Sequence, residues 1–208
     1  EVEMRLPPMK QGDVMKVTRF VGEGHQTKPP ARYTEPSLVK KLEELGVGRP
    51  STFASTIQTI QDRGYVAKRG RALVPTFLAF SVTGLLEQHF PKLIDYDFTA
   101  SMEEDLDKIA LGEENRVAWL KRFFFGHDGI PGLAEMTDDL GAIDAREVNT
   151  MSLGDGIEIR VGRYGAYLQK GEGENRIIAN IPEDLAPDEL NLAKAHELFA
   201  RPSGEREL

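Results

Sequence analysis

Cysteine is missing from all 208 residues, which rules out disulfides and any thiolate site for zinc or iron–sulfur, and is compatible with a reducing compartment. Long apolar runs are missing as well. No stretch approaches the roughly 20 residues needed to span a bilayer, and the opening EVEMRLPP has neither a basic lead nor an apolar segment of a secretion signal. A cytoplasmic protein without membrane contact is therefore expected. The four histidines, His25, His89, His127 and His196, show no ligand spacing, so no metal site is assigned. Gly171-Glu172-Gly173 lacks a third glycine and a following helix, which rejects it as a nucleotide loop. An initiator Met is absent while Val2 to Leu6 already looks like a strand, which suggests a piece of something longer.

What is present is a soluble globular composition, 40% hydrophobic and 29% charged, with enough length for one large or two smaller domains. The formal charge of −8 is unevenly spread. Residues 1–27 carry 4 acidic and 4 basic side chains, and residues 28–71 carry 4 acidic and 9 basic. Residues 72–128 carry 10 acidic and 5 basic, and residues 129–208 carry 16 acidic and 8 basic. A single basic segment thus lies inside an acidic chain, and phosphate is a plausible partner there alone.

The apolar pattern divides the chain into three. In residues 1–27, Val14 to Val21 alternates as a half-buried strand does, and Pro7-Pro8 and Gly12-Asp13 break the segment. Two such strands alone are marginal and belong to a β-rich sheet completed elsewhere. In residues 28–128, Thr34 is an N-cap, and Leu38, Val39, Leu42 and Leu45 keep helical spacing until Gly46. After the Val47-Gly48 turn, Pro50 suits the first position of a second helix that Gly64 closes. Tyr65 to Val74 reads as a hairpin with a basic tip, Lys68-Arg69-Gly70-Arg71, which makes a winged-helix-like unit. Thr76 caps a helix running to Pro91. Ser101 and Glu104 suggest a capping box for a helix with Met102, Leu106 and Ile109 inward, and a helix with Trp119 and Phe123 follows. Gly126 to Gly132 is the expected boundary. In residues 129–208, short strands at 148–153, 157–161, 166–169 and 177–179 precede one amphipathic helix, 184–200. The fold class expected is α+β, mainly helical at first, with a small antiparallel-sheet-plus-helix module after it.

Arg49-Pro50-Ser51-Thr52 is the leading site, because a helix start exposes unpaired N–H groups and partial positive charge to which the Arg49 guanidinium and two hydroxyls add. Ordinary capping is the competing reading. Lys28, Arg32, Arg63, Lys68, Arg69 and Arg71 extend the patch if the unit folds as expected, while Lys40 and Lys41, mixed with Glu43 and Glu44, are the first to discount as solvated. Asp105 and Asp107 do not make a magnesium pair, since residues i and i+2 of a helix diverge and Leu106 is expected to be the buried one. Tyr164 and Tyr167, beside Arg160 and Arg163, are candidates for stacking unpaired bases, against a structural reading that the acidic surroundings favour.

The stretches PPARYTE (29–35), LEELGVGRPST (42–52), TIQDRGYV (59–66) and YDFTASME (96–103) resemble the fourth core domain of bacterial DNA topoisomerase I, a type IA enzyme. VGRYGAYLQ and the NIPEDLAPDELNLA segment are similar to its C-terminal repeat, especially in actinobacteria. The resemblance implies strand passage through a transient single-strand break made by a tyrosine, with magnesium held in a Toprim domain. None of Tyr33, Tyr65, Tyr96, Tyr164 and Tyr167 has the Tyr-x-Arg-Thr-Asp/Ser context of that nucleophile, and no Toprim Asp-x-Asp is present, so no catalytic residue is assigned. It also implies that Arg49, Ser51, Thr52 and Arg63 contact single-stranded DNA, and that residues 1–27 are returning strands of the gate-hinge domain. Two other readings stay open: a non-catalytic winged-helix DNA-binding protein, and a docking module for a protein partner such as the transcription machinery.

Overall fold

A computed structural model describes residues 8–138 and 143–201. The segment up to Ala31 and the chain from Arg32 onward are two compact units. In the first, the strand expected at Val14–Val21 does not form, and Val14, Val17 and Phe20 are exposed. Alternation alone makes no strand without a neighbour to receive its N–H and C=O groups, and among the described residues this segment has none. The expected strand at Val2–Leu6 lies outside the described residues.

The second unit begins with two helices, α1 (Glu35–Glu44) and α2 (Pro50–Asp62). Thr34 caps α1 with a reciprocal bond to Ser37, and Pro36 sits in the first turn where its missing N–H costs nothing. The turn between them passes through Gly46 and Gly48 at φ 68° and 81°. A side chain would also be crowded at both: a Cβ on Gly46 would meet the Ala100 Cβ at 3.2 Å, and one on Gly48 would meet the Phe53 ring at 3.3 Å. Strands β1 (Val66–Arg69) and β2 (Ala72–Pro75) pair antiparallel around Gly70-Arg71. Thr76 ties the base of this hairpin to the end of α2: its hydroxyl donates to the Gly64 carbonyl at 2.7 Å and its N–H to that of Tyr65 at 3.0 Å. Phe53, Ile57, Leu73 and Val74 are buried.

Thr76 then caps α3 (Phe77–His89), as the sequence predicts. Helix α4 (Tyr96–Leu111) starts earlier than expected, because Asp95 rather than Ser101 caps it, accepting from the Phe98 N–H at 2.8 Å. Ser101 lies inside the helix and donates to the Phe98 carbonyl. The inward face also differs. Phe98, Met102, Asp105 and Ile109 are the half-buried row, and Leu106 is 45% exposed. The expected apolar stripe thus yields one place to a carboxylate. Asp105 fits there because the Trp119 Nε1–H of α5 (Arg116–Phe125) and the Lys108 ammonium both donate to it. Trp119 and Phe123 stack with centroids 5.3 Å apart.

Gly126 to Pro131 forms a two-residue hairpin, β3 (Gly126–His127) with β4 (Ile130–Pro131), followed by short helices α6 (Leu133–Thr137) and α7 (Ala145–Val148). Four antiparallel strands follow in sequence order: β5 (Thr150–Gly154), β6 (Ile157–Gly162), β7 (Gly165–Lys170) and β8 (Ile177–Asn180). The single helix expected over 184–200 is two elements, a 3-10 turn at Pro187–Glu189 and α8 (Leu192–Ala200). Leu190 between them is extended and buried, and Asn191 caps the new helix by accepting from the Lys194 N–H. Ile157, Ile159 and Leu168 of the sheet pack with Ala195 and Leu198 of α8 into one core, and Phe77, the first residue of α3, belongs to it. The helical part and the sheet module therefore share buried surface.

Leu168 is fully buried in that core whereas Val14 is fully exposed. Leu168→Ala should lower unfolding free energy by about 3 kcal/mol, and Val14→Ser should leave it unchanged, as read from urea denaturation of the two variants.

Candidate nucleic-acid interface

The start of α2 is built from one compact set of bonds. Arg49 is the N-cap residue, with extended backbone at φ −137°. Its N–H donates to the Thr52 hydroxyl oxygen at 3.0 Å, and that hydroxyl donates back to the Arg49 carbonyl at 3.0 Å. The same carbonyl accepts the Thr52 and Phe53 N–H groups, and Pro50 has no N–H to offer. Of the first-turn donors the sequence points to, only the N–H and hydroxyl of Ser51 form no bond among the described residues. Thr52 shapes the helix start, and Ser51 is its free end.

The Arg49 guanidinium is held from two sides. Its Nη1 donates to the Gly48 carbonyl at 2.9 Å and the Gly46 carbonyl at 3.4 Å, while Nε and Nη2 both donate to Asp107 Oδ2, at 3.1 and 2.7 Å. The Asp107 bond pushes the guanidinium pKa further up, with Glu103 and Glu104 adding in the same direction, so Arg49 is a permanent cation. Asp107 reaches it because α4 lies against the turn at Ala100, and residues 100 and 107 share a helix face two turns apart. Asp105 and Asp107 thus diverge as the i, i+2 rule requires, each with its own cations. Among the described residues no cluster of three acids or histidines is arranged to hold a metal.

The remaining predicted cations divide into two groups. Arg32 pairs with Asp188 at 2.5 Å, Lys68 with Glu35 at 2.5 Å, and Arg69 with Glu189 at 2.8 Å. Two of these acids come from the 3-10 turn before α8, so the acidic module supplies counter-charges to Arg32 and to Arg69 of the basic hairpin. Glu35 is held below the ordinary glutamate range by its hydrogen bonds to Lys68 and Gln61, and Glu189 by the Ala186 N–H and then Arg69. Arg63, the C-cap of α2, and Arg71, at the hairpin tip, are exposed and form no ion pair among the described residues. Lys28 lies in the first unit and is likewise exposed. Lys40 and Lys41 both pair with Glu44 on the surface of α1, which agrees with discounting them.

Tyr164 stands on the β6–β7 turn, 93% exposed, with the Arg163 guanidinium carbon 5.7 Å from its ring centre. Tyr167 is half-buried on β7, and its ring lies against Gly162, where a Cβ would come within 3.2 Å. Of the two, Tyr164 alone presents an open ring. The acids that face the cations, Asp107, Asp188 and Glu189, escape sequence reading because pairing across 58 residues or more leaves no local pattern.

The family profile described as DNA topoisomerase matches residues 1–121, more than half of the chain. The chain belongs to this DNA topoisomerase family. A second profile, the topoisomerase C-terminal repeat, matches residues 152–207. DNA topoisomerase 1 of Streptomyces coelicolor is 55% identical over 225 residues, covering 99% of this chain and 24% of that protein. DNA topoisomerase 1 of Mycobacterium tuberculosis strain H37Rv is 51% identical, covering all of this chain and 24% of the relative. Full-length topoisomerase I from Thermotoga maritima superposes with a TM-score of 0.62 at 32% identity, covering 77% of this chain and 26% of that one. The chain spans about a quarter of the length of these bacterial relatives. Among the described residues no helix is long and apolar enough to cross a membrane.

Bonds from Lys108 and then Trp119 hold Asp105 below the ordinary aspartate range. Its pairing therefore stabilises the fold above the ordinary aspartate pKa and is lost as pH falls through the lower, folded value. Trp119 is the sole tryptophan, so its fluorescence should change with a midpoint below that of a free aspartate. The transition should vanish in Asp105→Asn; a midpoint at or above the free value would show that the pairing is not formed.

Proposed function

We propose that this chain is the strand-positioning part of a type IA DNA topoisomerase, an isomerase that relaxes negatively supercoiled DNA by transient single-strand cleavage and strand passage. The observation that supports this most is the α2 entrance. Arg49, Ser51 and Thr52 lie in a stretch matched by the topoisomerase profile, and they form a helix start whose free donors belong to Ser51 and whose cation is Arg49. A backbone phosphate of single-stranded DNA bound there would accept from the Ser51 N–H and hydroxyl and face the Arg49 charge. Arg32, Arg63 and the hairpin residues Lys68, Arg69 and Arg71 extend the track in a winged-helix-like arrangement, and Lys28 is a separate candidate contact in the first unit. Tyr164, the open ring of the Tyr164 and Tyr167 pair, offers base stacking on the repeat.

The working division is residues 1–27 as strands of the hinge domain, 28–128 as the DNA-binding domain and 129–208 as the C-terminal repeat. Residues 1–27 depend on pairing with the remainder of the enzyme, which agrees with the absence of a described neighbour for Val14–Val21. The tyrosine that breaks the strand and the Toprim domain that holds magnesium belong to that remainder. Asp105 and Asp107 do not suit a metal, since each is committed to cations or to an indole N–H. This chain binds and orients the strand, so that the scissile phosphate meets a nucleophile carried elsewhere, and acts in the bacterial nucleoid. The net charge of −8 over residues 129–208 supports a second role for the repeat as a docking surface for a basic protein of the transcription machinery.

Arg49→Ala should weaken single-stranded DNA binding and flatten its dependence on salt by about 0.7 in the log–log slope, the loss of one phosphate contact. Isotherms over a salt series check this. A clear preference for duplex over the single strand of the same sequence would instead favour a non-catalytic winged-helix regulator. Mixing the chain with the tyrosine-bearing and Toprim portion should restore relaxation of negatively supercoiled plasmid, measured by gel mobility.

A further inference from the structure

A guanidinium has five N–H donors in two usable edges. In Arg49 the Nη1 side is spent on the Gly46 and Gly48 carbonyls, and the Nε–Nη2 edge, the fork that grips a phosphate, lies on Asp107. One Nη2 hydrogen is left over. A phosphate arriving at the start of α2 thus finds the cation it needs already neutralised by a carboxylate from α4, 58 residues further along the chain. The two clamps differ in kind. The carbonyls belong to the rigid glycine turn, whereas the Asp107 side chain is 60% exposed and holds Arg49 through a single oxygen. Such an exposed pair is weak and can be exchanged.

We propose that Asp107 is a further residue of the strand site, an internal stand-in for phosphate: its carboxylate occupies the Arg49 fork when no strand is bound, and the incoming backbone phosphate displaces it. The backbone carbonyls keep the guanidinium aimed during the exchange, so the site is preorganised by Gly46 and Gly48 and attenuated by Asp107. The consequence is a strand held less tightly than an unpaired arginine would hold it. That suits a protein which must let the strand go after passage. This inference rests on the reading of Arg49 as a phosphate contact.

The exchange sets the outcome of three measurements on the 208-residue chain with a fluorescent single-stranded oligonucleotide. Asp107→Asn should bind about two- to fivefold tighter, the fold-change that corresponds to the worth of an exposed ion pair. Its log–log salt slope should stay close to that of the unmodified chain, because Arg49 releases the counterions of one phosphate in either case. In an Arg49→Ala background the same substitution should change neither quantity. Asp107→Ala, which removes the carboxylate without leaving an amide to accept from the fork, should repeat the result, and circular dichroism checks that each variant is folded. Weaker or unchanged binding by both folded Asp107 variants, while Arg49→Ala still weakens it, overturns the exchange and leaves the strand site standing. If Arg49→Ala has no effect, the phosphate reading of Arg49 falls, and the exchange with it.

Discussion

The turn through Gly46, Val47 and Gly48 is the constraint on which the rest of the helical unit depends. It takes positive φ at both glycines, and the missing Cβ at Gly46 leaves room for Ala100 to approach closely. That approach sets α4 against the beginning of α2. From it follow the two carbonyls that fix the Arg49 guanidinium and the reach of Asp107 to its other edge. A backbone feature of two residues thus decides both the aim and the pairing of the residue at the centre of the proposed strand site.

Charge is organised by the same economy of contacts. The basic segment that stands out in the chain is internally compensated in the folded state. Arg32, Arg49, Lys68 and Arg69 each face a carboxylate, and two of those carboxylates, Asp188 and Glu189, come from the module that follows the helices. These pairs are partly solvated and individually weak. Their collective effect is on what a polyanion meets: a surface whose cations must exchange partners to be used, with Arg63 and Arg71 available without exchange. The helical part and the sheet module are also joined through Phe77, which begins α3 and ends in the core of the sheet. The repeat is thereby packed directly behind the hairpin base that carries the basic tip.

Much of the local structure was legible. Thr34, Pro50, Gly64 and Thr76 stand where capping chemistry puts them, and the four-strand meander follows its alternating pattern. The departures have physical causes. Asp95 displaces Ser101 as a cap because both are good cap residues, and the helix takes the earlier start when Phe98 and Met102 can be covered. Asp105 takes the inward place expected of Leu106 because an indole N–H and an ammonium are there to satisfy it, and no periodicity announces such a partner. Leu190 breaks the last helix in order to bury its side chain. Val14 to Val21 alternates like a strand and remains unpaired, since a strand is a property of two segments.

The sequence by itself determined the elements, their caps and turns, the basic segment, and the resemblance that marks the chain as a topoisomerase relative, because each of these is written in neighbouring residues. The tertiary structure alone decided which cation meets which acid. Arg49 and Asp107 are 58 residues apart, and Arg69 and Glu189 are 120 apart. Over such distances only packing brings charges together, so the arginine that sequence reading offered as a free phosphate hook is, in the fold, an arginine already holding an anion.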